Sequence, residues 1–135
     1  AHDLGEVLGC GGHVAALERL TCGAFKAESS VTPDQLASTG DAPDDWQKHL
    51  LPVDWVLQNL NSITVGHQAE QYIRHGQSVS LGQAPQNARY LEEFRAYTSE
   101  GCFLALVRFD RSDNSWRPTK VFEVDSPSQY APQSA

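Results

Sequence analysis

The chain has 135 residues, 40% of them apolar and 20% charged, with a formal net charge of −7. That length suits one ordinary domain or two small ones and is enough to bury a core without staples. The acidic balance speaks against indiscriminate binding to nucleic acid, and no apolar run approaches membrane-spanning length.

No secretory signal is visible, and the chain contains no Met. It opens inside what reads as a helix, so a processed protein or a piece of a longer one is expected. The three cysteines, Cys10, Cys22 and Cys102, are odd in number and widely spaced. They fit buried thiols in a reducing cytoplasm better than a disulfide framework. Cys10, His13 and Cys22 lack the second tight pair that a zinc site needs, so no metal is expected.

"HDLGEVLG" carries Leu4, Val7 and Leu8 at helical spacing, and Gly9, Gly11 and Gly12 end that helix. The glycines follow the helix, the wrong side for an anion cradle at a helix N-terminus. "HVAALERLTCGAF" then alternates with a period of two and predicts a strand that carries Arg19 in its middle. A buried guanidinium there needs a carboxylate partner. Adjacent Glu18 would point to the opposite face; Glu6 or another local acid stays open.

In "SVTPDQLAST", Thr32 is placed as an N-cap and Pro33 at the first helical position, giving a short helix to about Ala37. "STGDAPDD" reads as a loop. "DWQKHLLPVDWVLQNL" reads as two short helical pieces split by Pro52, with Trp46 and Trp55 as core anchors. The acids Asp41, Asp44, Asp45 and Asp54 concentrate here.

From residue 61 the texture becomes mostly β. "NSITV" is a strand, "HQAEQYIRHG" a helix ended by Gly76, and "QSVSL" a strand. "GQAPQNA" is a loop. "YLEEFRAYT" and "CFLALVRFD" are strands around the turn Ser99-Glu100-Gly101, and "RSDNS" turns into a last strand, "WRPTKVFEV". Arg108, Arg111, Arg117 and Lys120 make this span locally basic. His67 and His75 read as exposed histidines. "DSPSQYAPQSA" is polar and Pro-rich and predicts a frayed tail. The expected fold class is α+β, divided into residues 1–60, residues 61–124 and a flexible tail over 125–135.

No complete catalytic set is present: no G-x-S-x-G, Walker loop, HExxH or paired CxxC. Four stretches nevertheless resemble the C-terminal part of the TruB family of bacterial tRNA pseudouridine synthases. They are "DLGEVLGCGGHVAALERLTCGAF", which closes in an L-x-R-x-x-x-G-x-F pattern, "LLPVDWVLQNL", "IRHGQSV" and "GCFLALVRFD…WRPTKVF". The first is the most specific. The resemblance implies that residues 1–60 are the end of an α/β catalytic domain and that residues 61–124 are a PUA-like RNA-binding module. It implies an isomerase that turns a T-loop uridine of tRNA into pseudouridine. The glycosidic bond breaks, the base turns over and a carbon–carbon bond forms to the same sugar, on a nucleotide flipped out of its stack. No cofactor or metal is implied.

Arg19 matches the family's active-site arginine, placed to hold the catalytic aspartate in orientation and keep it ionised. That aspartate is expected outside this chain. Asp34-Gln-Leu-Ala-Ser-Thr-Gly40 has one residue too many for the family's Asp-x-x-Ala-Thr-Gly loop and follows Arg19 instead of preceding it, so Asp34 is not catalytic. This chain alone is expected to be inactive. Arg74, His75, Gly76, Arg117 and Lys120 are the candidate RNA contacts, through phosphates and through the close approach a glycine allows. The expected partner is the tRNA T-stem-loop, and the expected state a cytoplasmic monomer. The rival class is a non-enzymatic RNA-binding or ribosome-associated protein on the same module. A protein–protein adaptor using Trp46 and Trp55 is a third class, without a positive motif.

Overall fold

The structure, a computed structural model, describes residues 1–38, 46–82 and 92–132. Asp41, Asp44 and Asp45, most of "STGDAPDD" and "GQAPQNA", and the start of "YLEEFRAYT" lie outside the described residues. The chain divides into two compact units, Ala1–His49 and Leu50–Ala135. The division falls before Pro52 and not at the change of texture near residue 61.

In the first unit, α1 (His2–Leu8) ends at Gly9, whose φ of 69° is the left-handed cap glycine adopts without strain. The turn that follows doubles back onto the helix. The amides of Cys10 and Gly11 both donate to the carbonyl of Gly5, at 3.3 and 3.1 Å. A Cβ on Gly5 would sit 2.3 Å from the Gly11 carbonyl carbon, so this approach requires glycine. Gly5 is the buried residue of α1.

The strand expected over "HVAALERLTC" is reduced to β1 (Thr21–Cys22), paired antiparallel with β2 (Phe25–Lys26). Residues 13–20 carry no ladder and are exposed, Arg19 included. A strand needs a partner along its length, and β2 supplies one for two residues only. Cys10 and Cys22 are exposed, against the expectation of buried thiols; Cys102 is buried.

A single 3₁₀ turn (Ala27–Ser29) leads to α2 (Pro33–Ser38). Its start is a reciprocal capping box: the Gln35 amide donates to Thr32 Oγ1 at 3.2 Å, and the Thr32 amide donates to Gln35 Oε1 at 2.8 Å. Trp46 is exposed by 45% and anchors no core.

The second unit opens with a 3₁₀ turn (Val53–Leu57) after Pro52, which splits the helical pattern as expected. Trp55 in that turn is half-buried. A four-stranded mixed sheet follows, in the order β3 (Ser62–Val65), β4 (Glu93–Thr98), β5 (Phe103–Asp110) and β6 (Ser115–Val121). β3 runs parallel to β4 and is connected through α3 (His67–Arg74); the other pairs are antiparallel. The hairpin turns fall at Gly101 (φ 84°) and at Asn114 (φ 53°), inside the two stretches the sequence marked.

The core joins Val65, Ile73, Val79, Phe94, Ala96, Leu104, Ala105, Val107 and Trp116. Trp116 meets Phe94 and Phe109 edge-on, at 5.1 and 5.2 Å between ring centroids. "QSVSL" is not a full strand: Val79 alone bridges to Trp116. The described part of the expected frayed tail is held in place. Pro127 bridges to Cys102, and the Ser128 amide donates to the Gly101 carbonyl at 2.9 Å. Its polar composition hid a hydroxyl with a buried partner.

Candidate functional site

Arg19 stands in the segment 13–20, which has no regular secondary structure, flanked by apolar side chains that face solvent. Val14 is 59% exposed, Leu17 84% and Leu20 64%. Among the described residues no carboxylate pairs with Arg19. Among the described residues this segment joins no sheet. A run of exposed apolar side chains is otherwise unfavourable in water. Asp34 is exposed in the first turn of α2, beside the capping box.

Three candidate RNA contacts lie together where α3 ends. Arg74 is tied to Glu70 one turn back, with Nε and Nη2 at 3.0 and 2.9 Å from Oε1. His75 caps the helix and is exposed, and Gly76 takes a φ of 73°. Arg117 and Lys120 lie on β6. Arg117 Nη2 donates to Asp113 Oδ2 at 2.6 Å, and Nε lies 3.3 Å from Asp110 Oδ2. The Asp113 contact raises the Arg117 guanidinium above its ordinary range. Both aspartates are held below the usual carboxylate range, Asp110 chiefly by the Ser112 hydroxyl and Asp113 chiefly by the Ser115 hydroxyl, with Arg117 adding to it. Arg108 is paired across the sheet with Glu93 at 3.0 Å. The basic run read along the chain is thus interleaved with acids once the hairpin forms. Lys120 is exposed and has no ion-pair partner among the described residues.

The most buried charge of the second unit was missed. Asp54, of the "LLPVDW" stretch, is 1% exposed. Its Oδ2 accepts from Tyr97 Oη at 2.7 Å and from Ser128 Oγ at 2.5 Å. Tyr97 Oη in turn accepts from Arg95 Nη1 at 3.1 Å, and Arg95 Nε donates to the Leu60 carbonyl at 3.1 Å. One carboxylate thereby ties the entry turn, strand β4 and the C-terminal segment together. Burial, then the Asp54 hydrogen bond, push the Tyr97 phenol well above its ordinary range. A signal existed in the sequence: Asp54 is the acid framed by Leu51, Pro52, Val53, Trp55 and Val56, whereas solvated acids sit among polar neighbours.

The described residues contain no helix long and apolar enough to cross a membrane, and no cluster of three or more His, Cys, Asp or Glu side chains able to hold a metal ion. Comparison with known proteins gives a consistent result. Residues 1–58 match the family model of the tRNA pseudouridylate synthase B C-terminal domain. A tRNA pseudouridine synthase B from Anaplasma marginale is 34% identical over 131 residues, covering 92% of this chain and 41% of the relative. The enzyme of that name from Syntrophomonas wolfei is 29% identical over 126 residues, covering 92% of this chain and 40% of its own length. One from Dechloromonas aromatica reaches 44% identity over 82 residues, 60% of this chain and 26% of the relative. The chain therefore spans about two-fifths of the length of the first two.

Proposed function

The chain belongs to the tRNA pseudouridine synthase B family as a match to its C-terminal portion, and from that premise we propose that it is the C-terminal piece of an enzyme that isomerises a T-loop uridine of tRNA to pseudouridine. The first unit then completes the α/β catalytic domain, and the second is a PUA-like module that grips the tRNA. The enzyme works as a monomer in the cytoplasm, without cofactor or metal.

The observation that carries this reading is the segment 13–20, which joins no sheet among the described residues. Its apolar residues Val14, Leu17 and Leu20 are exposed by more than half, and among the described residues no carboxylate pairs with Arg19. The remainder of the protein pairs with this backbone in place of water, buries those side chains and brings the catalytic aspartate to Arg19. The planar guanidinium holds that carboxylate bidentately, fixes its direction and keeps it ionised. The reaction consumes and releases nothing: the uracil leaves the sugar through one atom and returns through another. The protein's contribution is orientation of the flipped nucleotide and of one carboxylate.

Lys120 and the His75–Gly76 corner supply the module's phosphate contacts. Arg74 and Arg117 contribute less while their acidic neighbours hold them. The acidic total, −7, suits a modest grip by the module alone.

The test is conversion of unmodified tRNA, scored by chemical detection of pseudouridine at each uridine. The full-length protein modifies the T-loop position, and the 135-residue chain alone modifies none. Full-length protein that binds tRNA without modifying it would favour the non-enzymatic RNA-binding class.

A further inference from the structure

A groove of about 280 Å³ opens on the second unit, between α3 and the segment that follows it. It is lined by Gln68, Ala69, Tyr72, Ser78, Val79 and Ser80. Tyr72 is 46% exposed and is the one exposed Phe, Tyr or Trp among the described residues of this unit. Both walls are rigid. On one side, Ile73 is 0% exposed and fixes the rotation of α3. The carbonyl of Tyr72 accepts from the amides of His75 and Gln77, at 3.2 and 2.9 Å, and so locks the helix end on either side of Gly76. On the other side, Val79 exchanges two backbone hydrogen bonds with Trp116, at 2.9 and 2.7 Å, and turns its own side chain into the core. Alternation along an extended chain then directs Ser78 and Ser80 the opposite way, and both are exposed.

We propose that this groove is a subsite for a single unpaired RNA base, stacked on Tyr72 and read at its edge by Gln68, Ser78 and Ser80. The assignment rests on the reading of the module as RNA-binding. An aromatic face held half-open on a rigid helix is the platform on which unpaired bases stack. Beside the apolar Ala69 and Val79, the lining offers an amide and two hydroxyls, each able to donate and to accept, as base edges require. An apolar peptide anchor would leave those groups without partners. The volume lies at the bottom of the range for small-ligand pockets, which suits one base and is too small for a pair. Gln68, Tyr72 and His75 follow one another at i, i+4 and i+7, so His75 stands at the end of the same helical face, where the phosphate of a stacked nucleotide would run.

The experiment uses the full-length protein and a seven-nucleotide single-stranded RNA with 2-aminopurine at its centre, the same strand annealed to its complement, and unmodified tRNA. Wild type and Tyr72→Phe bind the single strand and quench the 2-aminopurine, and the duplex binds without quenching. Tyr72→Ala binds the single strand about five- to a hundredfold more weakly and loses the quenching, the usual effect of removing one stacked base. Tyr72→Leu keeps apolar bulk without a ring and also loses the quenching, which separates stacking from a folding defect. Tyr72→Ala and Tyr72→Leu that quench like wild type overturn the subsite, and intact tRNA binding in those variants leaves the RNA-binding reading standing. A wild-type protein that binds neither the single strand nor tRNA overturns both.

Discussion

Removing one oxygen from Tyr97 separates the structural role of the buried network from everything else in the second unit. The phenol donates to Asp54 at 2.7 Å and accepts from Arg95 at 3.1 Å. Tyr97→Phe keeps the ring and its packing on Phe103, 5.5 Å away between centroids. Asp54 keeps the Ser128 hydroxyl, and Arg95 keeps the Leu60 carbonyl. The loss is then two hydrogen bonds, one to the Asp54 carboxylate and one from the Arg95 guanidinium, together at least about 2 kcal/mol. For a unit of this size that is a fall of about 8–16 °C in the unfolding midpoint. The same oxygen sets an alkaline signature. The Tyr97 pKa is raised in the fold, so the folded state holds a proton that the unfolded phenol releases near pH 10. Its stabilising contribution is complete below that pH and falls by about 1.4 kcal/mol per pH unit above it. The gap between wild type and Tyr97→Phe therefore narrows from pH 10 to pH 11, while titrations common to both cancel. Denaturant unfolding followed by near-UV circular dichroism at pH 7, 9, 10 and 11 reads both effects. Equal stability at pH 7, or a gap that stays constant from pH 9 to pH 11, would refute the network's role.

Two further outcomes follow from contacts in the structure. Gly5→Ala places a methyl group against the Gly11 backbone and should cost about 1–3 kcal/mol of local stability; hydrogen exchange over residues 1–12 should accelerate, and unchanged exchange would mean that the turn does not close on the helix. Lys120→Ala should weaken tRNA binding and lower its salt dependence by about one phosphate's worth, with a smaller effect from Arg117→Ala because Asp113 and Asp110 already hold that guanidinium. A larger effect from Arg117 than from Lys120 would reverse that order.

The sequence disclosed those elements whose signals are local. Thr32-Pro33 marked α2 and Gly9 ended α1, because a cap or a left-handed turn needs only its immediate neighbours. Gly76, Gly101 and the "RSDNS" turn bounded the helix and strands of the second unit for the same reason. What escaped depends on distant partners. "HVAALERLTC" alternates like a strand, yet a strand exists only where another strand meets it, and here that happens at Thr21 and Cys22. "QSVSL" reads equally well, but the sheet uses Val79 alone. The network from Asp54 to Ser128 joins residues 74 positions apart, so neither end announced the other. In the basic run ending at Lys120, Asp110 and Asp113 were already present in the sequence, and what it did not show was that the turn brings both onto Arg117 and that Glu93 reaches Arg108 from β4. Arg19 was singled out by the motif around it and not by its surroundings, which the described residues leave open to solvent.

The central claim is that Arg19 serves the chemistry of tRNA uridine isomerisation and not the stability of the fold. Single-turnover conversion of T-loop uridine by the full-length protein, measured beside tRNA affinity, tests it most directly. Arg19→Ala should nearly abolish conversion while tRNA binding stays within a few-fold of wild type. Conversion by Arg19→Ala at close to the wild-type rate would contradict the account.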